Sequence, residues 1–331
     1  MSSPRVSAIQ PQWAIEGGRI SIQGSRFSVD EPTLPAVRIG NVPARVVCAS
    51  SSRLDVLVPG GLEGGSVPVR IDGIAGETPL IDVAAPFATG LHQVDNPIFD
   101  RDDNLYVTYS GTRGQQVPVS IFCVRPNGTR ETFSSGIVNP TSMAIDAEGR
   151  LYVSSRFEGT VYRIARDGSS ETFASDLGVA CGLAFASDGT LFVGDRSGTI
   201  FRVDQAGHAT TFATLPASVA AFHLAIAPDG SLFVTGPTLA SYDPLYRVSP
   251  TGDVSIAYDR FGRPQGIAFD GSGRLHVVDA LAGASGVYRL MPGSTPELVL
   301  SGPGLIGVAF GARGTMVVSS NDTAYRLSPS A

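Results

Sequence analysis

"RPQGIAFDGSGRLHVVDA", residues 263–280, reads as an extended segment, a tight Gly-containing turn and a second extended segment. Apolar residues alternate with small or polar ones at a period of two on each side of the turn, which is the pattern of a β-hairpin. The same sentence recurs along the chain. Five further copies begin at Asp95 (DNPIFDRDDNLYVTY), Thr141 (TSMAIDAEGRLYVSS), Cys181 (CGLAFASDGTLFVGD), Phe222 (FHLAIAPDGSLFVTG) and Ile306 (IGVAFGARGTMVVSS), roughly 40 to 46 residues apart.

Behind each hairpin stands a third short strand, "SIFCV", "TVYRI", "TIFRV", "PLYRV", "GVYRL" or "TAYRL", and most copies add a fourth such as "SSETFAS" or "HATTFAT". Four antiparallel strands repeated at this period predict a six-bladed β-propeller. The last copy ends after three strands. Its missing fourth is expected upstream in "PLIDVAAPFATGL", so that an N-terminal strand completes the last blade and removes the two free edges of an open array. Residues 1–78 have another texture: "GGRISIQGSRF", "AVRIGNVPARVVCA", "RLDVLVPGG" and "SVPVRIDG" are short alternating strands with Gly and Pro turns, the pattern of a small β-sandwich. The expected architecture is therefore all-β, with an immunoglobulin-like sandwich over 1–78 and the propeller over 79–331. The linker "DGIAGETPL" is short enough to hold the two together.

Composition narrows the function classes. The net charge is −6, and the basic residues are all Arg, since the chain contains no Lys, so Schiff-base and amine-nucleophile chemistry is excluded apart from the amino terminus. An acidic chain without an Arg block argues against nucleic acid as a partner. Cys48, Cys123 and Cys181 are odd in number and far apart, which suits neither a disulfide framework nor a metal knuckle. No apolar run is long enough for a membrane span, and the start "MSSPRVSAIQPQW" lacks the profile of a secretory leader. The expectation is a soluble protein, cytoplasmic as written, or extracellular or periplasmic if a leader has been removed.

The sandwich resembles the IPT/TIG immunoglobulin-like family, on Ile9 to Pro11, Gly17 to Phe27, Val37 to Ala44 and Val56 to Pro59. That resemblance implies a spacer, adhesion module or packing partner. The repeats resemble NHL-repeat propellers of a bacterial type and, more distantly, the six-bladed gluconolactonase/regucalcin family. In lactonase-type relatives a divalent metal is held by a Glu at the start of the first inner strand, an Asn in the fourth blade and an Asp in the fifth, while an Asn in the third binds substrate. The equivalent column here is Asp95, Thr141, Cys181, Phe222, Gln265 and Ile306. One acid, one neutral amide and a hydroxyl make a weak field for Ca²⁺ or Mg²⁺.

The residues thus predict a non-catalytic binding or scaffold protein without a cofactor, taking a protein or small-molecule ligand at the propeller mouth. Asp95, Asn96, Asn139, Thr141, Cys181, Phe222, His223, Gln265 and Ile306 are the ligand-facing candidates. The alternative is a metal-dependent hydrolase or lyase with a rearranged channel site holding Ca or Mg, with Asp95 and His223 as catalytic candidates and Asp95 and Gln265 as metal candidates. Acidic turns such as Asp188-Gly189 and Asp229-Gly230 read as hairpin chemistry and not as calcium loops. Arg163, Arg202, Arg247, Arg289 and Arg326 recur once per blade on the third strand, and are expected to form ion pairs and hydrogen bonds between blades.

Overall fold

The computed structural model describes residues 4–29, 34–74, 78–281, 283–291 and 293–327, so residues 75–77 of the expected linker lie outside the described part. Every regular element in it is a strand. No helix among the described residues is long and apolar enough to cross a membrane.

In the sandwich, Val42–Ser50 serves both leaves. Its first residues pair with Val37–Ile39, which also pairs with Gly65–Ile71, and its later ones pair with Arg53–Leu57. Arg53–Leu57 continues to Arg19–Ser25 and Arg5–Gln10. The alternation seen in the sequence puts Ile20, Ile22, Ile39, Leu54, Val56 and Val69 into one core. Asp55 breaks that pattern. Its buried carboxylate accepts from Arg19 Nη2 at 2.5 Å and Arg53 Nε at 2.8 Å, which offsets the cost of burying charge.

Each hairpin repeat folds as the inner half of a four-stranded unit. The inner strands are Ile98–Phe99, Pro140–Ile145, Ala180–Phe185, His223–Ile226, Pro264–Phe269 and Leu305–Phe310, and consecutive ones pack side by side around an axis. Five of the units are free-standing four-stranded sheets. The remaining run, from Pro264–Phe269 to Glu297–Ser301, is not a separate sheet, because it forms one end of a twelve-stranded sheet shared with the sandwich. The repeats predict six four-stranded blades, and the structure has five separate ones, with the remaining unit joined to the sandwich sheet. The ring closes as the sequence implies, with Ala85–Ala88 pairing antiparallel with Ala324–Leu327.

The fusion depends on two residues. Trp13–Ala14 pairs in parallel with Leu300 and Ser301 of the fifth unit on one side and with Asp82 and Val83 on the other. Arg19 N–H then donates to Ser301 Oγ at 2.8 Å. Gly18 is required here, because a β-carbon would sit 2.3 Å from the Ser301 carbonyl oxygen.

Two ends of the ring can be distinguished. The base carries the hairpin turns, where Asp146, Asp188, Asp229 and Asp270 each accept the backbone N–H two residues on, at 3.0, 2.9, 2.9 and 2.9 Å. These acids are turn caps. The third-strand arginines correct the expectation of contacts between blades: Arg163 pairs with Glu171, Arg247 with Asp229 and Arg289 with Glu297, each inside its own unit. Antiparallel pairing puts Arg163 opposite Glu171 and Arg289 opposite Glu297, and Arg247 reaches the turn of its own unit at Asp229. Arg326 does cross, donating to the Pro126 carbonyl at 2.7 Å. The other end, the mouth, is where the inner strands begin and where the turns between second and third strands lie.

Candidate functional site

The axis is blocked by a bond across it. His223 Nδ1 lies 2.5 Å from Asp95 Oδ1, joining the fourth blade to the first over a separation of 128 residues. In a ring where neighbours follow chain order, those two units face each other. Asp95 Oδ1 also accepts the Asn96 N–H at 2.7 Å, so this oxygen is an acceptor and the imidazole Nδ1 is the donor. Both side chains are sealed from solvent, and His223 Nε2 has no partner.

Asn96 extends the plug. Its Nδ2 donates to the Ile267 carbonyl at 2.8 Å and its Oδ1 accepts the Val308 N–H at 3.0 Å, tying the first blade to the fifth and sixth. Gly266 makes room, since a β-carbon there would fall 2.1 Å from Asn96 Oδ1. On the base side of this plug is an axial cavity of about 320 Å³, rimmed by Phe99, Ile145, Phe185, Ile226, Phe269 and Phe310, one from each inner strand.

The column inferred from the repeats is matched in register, and most of its side chains are buried. Phe222 is fully buried in the core between the third and fourth blades, its ring 2.4 Å from where a β-carbon on Gly236 would stand. Thr141 is inaccessible and donates to the Asn139 carbonyl at 3.0 Å. Cys181 is also buried. Burial pushes its thiol up to about 12, Asp95 adds to that, and Arg156 and Arg196 oppose it. Gln265 and Ile306 are half-buried, and the Gln265 carbonyl accepts from Thr235 Oγ1 at 2.5 Å. Asp95 and His223 are thus brought together, and Gln265 is not joined to them by any hydrogen bond.

A dication does not fit this donor set. Asp95 Oδ1 is already shared by an imidazole and an amide, and no three His, Cys, Asp or Glu side chains cluster among the described residues. A hard cation needs several oxygens converging from different blades.

Asn139 proves to be a brace. Buried and in a left-handed conformation (φ 49°), it accepts the Gly114 N–H at 2.7 Å and donates to the Ser110 and Thr112 carbonyls at 2.6 and 2.8 Å, pinning the mouth loop of the first blade against the second. Its own carbonyl accepts the Arg156 N–H at 3.3 Å, and the equivalent Val179 carbonyl accepts the Arg196 N–H at 3.2 Å. Arg156 and Arg196 therefore occupy matching mouth positions on neighbouring blades. Neither was singled out from the sequence, although "SSRFEG" and "GDRSG", at matching places after the second strand, carry the signal.

Residues 4–79 match the IPT/TIG domain. No curated protein matches the chain by sequence. Among solved structures, an auxiliary nutrient binding protein from Bacteroides ovatus superposes with a TM-score of 0.57 at 15% identity, covering 98% of each chain, so both lobes are shared. A gluconolactonase from Xanthomonas campestris aligns over 73% of this chain and 89% of its own, with a TM-score of 0.59 and 16% identity. Virginiamycin B lyase from Staphylococcus aureus aligns over 73% and 86%, with a TM-score of 0.51 and 13% identity. At these identities the likeness is one of fold. The chain is an IPT/TIG domain fused to a β-propeller whose fold is shared with gluconolactonases and lyases.

Proposed function

We propose that the protein is a non-catalytic binding or scaffold protein that holds a ligand at the propeller mouth. The observation that carries this reading is the Asp95–His223 bond, which spends the one acid of the channel column on closing the axis. Support also comes from the auxiliary nutrient binding protein, which matches the chain over both lobes. The expected absence of nucleic acid and membrane partners rests on the acidic balance and on the sequence pattern.

A second reading, a re-tooled hydrolase or lyase, is favoured by one feature: His223 Nε2 is free while its other nitrogen is fixed by a carboxylate, as in a general base. Metal analysis of purified protein and a lactone and ester panel on wild type and Asp95→Asn separate the two. Binding predicts no retained divalent ion and no Asp95-dependent turnover. Turnover lost in Asp95→Asn, with a retained ion, would establish the enzyme.

A further inference from the structure

Most arginines of the base are ion-paired, Arg166 and Arg202 being exceptions among the described residues. At the base, Arg150, Arg163, Arg247 and Arg289 all have carboxylate partners. At the mouth of blades one to three, Arg113, Arg156 and Arg196 have no ion-pair partner among the described residues. The acids that could have served are engaged elsewhere. Asp95 is held by His223 and Asn96, Asp195 accepts the Val179 N–H at 2.8 Å and the Ser197 N–H at 3.2 Å, and Glu158 accepts the Tyr162 hydroxyl at 3.0 Å. Arg156 is half-buried, which makes an unanswered guanidinium costly.

The three cations stand on the mouth segments of three neighbouring blades. Asn139 fastens the Arg113 loop, through Gly114, to the segment that presents Arg156. Arg196 stands at the matching place on the next blade. An aromatic surface completes the group: the Phe157 ring, 53% exposed, lies 3.1 Å from where a β-carbon on Gly114 would be. The local electrostatics agree with this placement. Burial lowers Arg156 from its ordinary value, with Arg196 and Arg113 pushing the same way, and burial followed by the Arg156 charge lowers His92.

We propose that this rim, centred on Arg156 between Arg113 and Arg196, binds a small organic carboxylate whose apolar or aromatic body lies against Phe157. The guanidinium fork matches a carboxylate's two oxygens, and the exposed ring supplies apolar contact beside it. The site is off the axis, above the Asp95–His223 plug, and the inference rests on the binding reading given above.

Calorimetric titration of the full chain at low salt tests it, using phenylacetate, its neutral counterpart phenylacetamide and inorganic phosphate. Phenylacetate is expected to saturate, with phenylacetamide at least about tenfold weaker. Arg156→Gln should weaken phenylacetate about ten- to hundredfold, the worth of one charge-assisted contact. Arg166→Gln, at an exposed base arginine with no ion pair among the described residues, should leave it unchanged. Ligand-free Arg156→Gln should melt no lower than wild type, since it removes a cation that has no partner. Equal binding of phenylacetate and phenylacetamide, an unaltered Arg156→Gln, saturation by phosphate alone, or no saturation by any probe up to about 10 mM would overturn the proposal. Phenylacetamide binding that survives Arg156→Gln refutes the anion site and leaves the binding reading standing. Metal- and Asp95-dependent turnover refutes the binding reading itself.

Discussion

Replacing His223 by Leu should be among the most damaging single changes in the propeller. The substitution leaves the Asp95 carboxylate, 2% exposed, with the Asn96 N–H as its remaining hydrogen bond. Stripping a buried carboxylate of its partner costs about 3–5 kcal/mol. At about 2–4 °C per kcal/mol for a body of this size, the midpoint should fall by about 6–20 °C. Asp95→Asn keeps an acceptor for Nδ1 and removes the charge, so its penalty should be smaller, about 1–2 kcal/mol. The double variant, lacking the stranded carboxylate, should be less destabilised than the sum of the singles by about 2 kcal/mol, within the usual range for contacting residues. Urea and thermal unfolding followed by circular dichroism give all three values. Additivity to within about 0.5 kcal/mol, or a His223→Leu midpoint indistinguishable from wild type, would show that the pair does not close the axis.

Three further outcomes follow from the same structure. Asn96→Ala should destabilise by about 2–3 kcal/mol, because the Ile267 carbonyl and the Val308 N–H lose their shared partner at the axis; a neutral result in urea titration would dismiss that role. Gly18→Ala should cost more than about 2 kcal/mol and loosen the junction of the lobes, read as faster amide exchange at Leu300 and Ser301, since its β-carbon would collide with the Ser301 carbonyl. For Asp146 and Asp270, burial alone would raise the carboxyl, but the N–H and guanidinium of Arg150 and Arg274 outweigh it and hold each below the ordinary 3.8. Their stabilisation is therefore present above that value and is lost as pH falls through the lowered folded values. Asp146→Asn and Asp270→Asn should flatten the acid limb of a melting-point profile, and an unchanged slope would exclude them as its source.

The repeat was legible because each blade restates it locally: alternation sets the strands, Asp-Gly chemistry sets the turns, and the shortfall of the last copy points to Ala85–Ala88. Asp95 could be suspected from the column and His223 from its place beside it, but their pairing could not. They sit in non-equivalent registers of opposite blades, and only ring closure brings them together. Phe222 looked like a channel residue by position. It turns into the space left by Gly236, a packing choice written in a glycine fourteen residues away. Trp13–Ala14 carries too few residues for a strand pattern, so its bridging of the two lobes has no signature of period two.

That bridge removes any swivel from the molecule. Because Trp13 and Ala14 are laced by main-chain bonds to segments on either side, the lobes cannot turn relative to one another without unzipping a ladder. Anything that grips the immunoglobulin-like lobe, such as a surface tether, therefore fixes the compass heading of Arg156 and its neighbours.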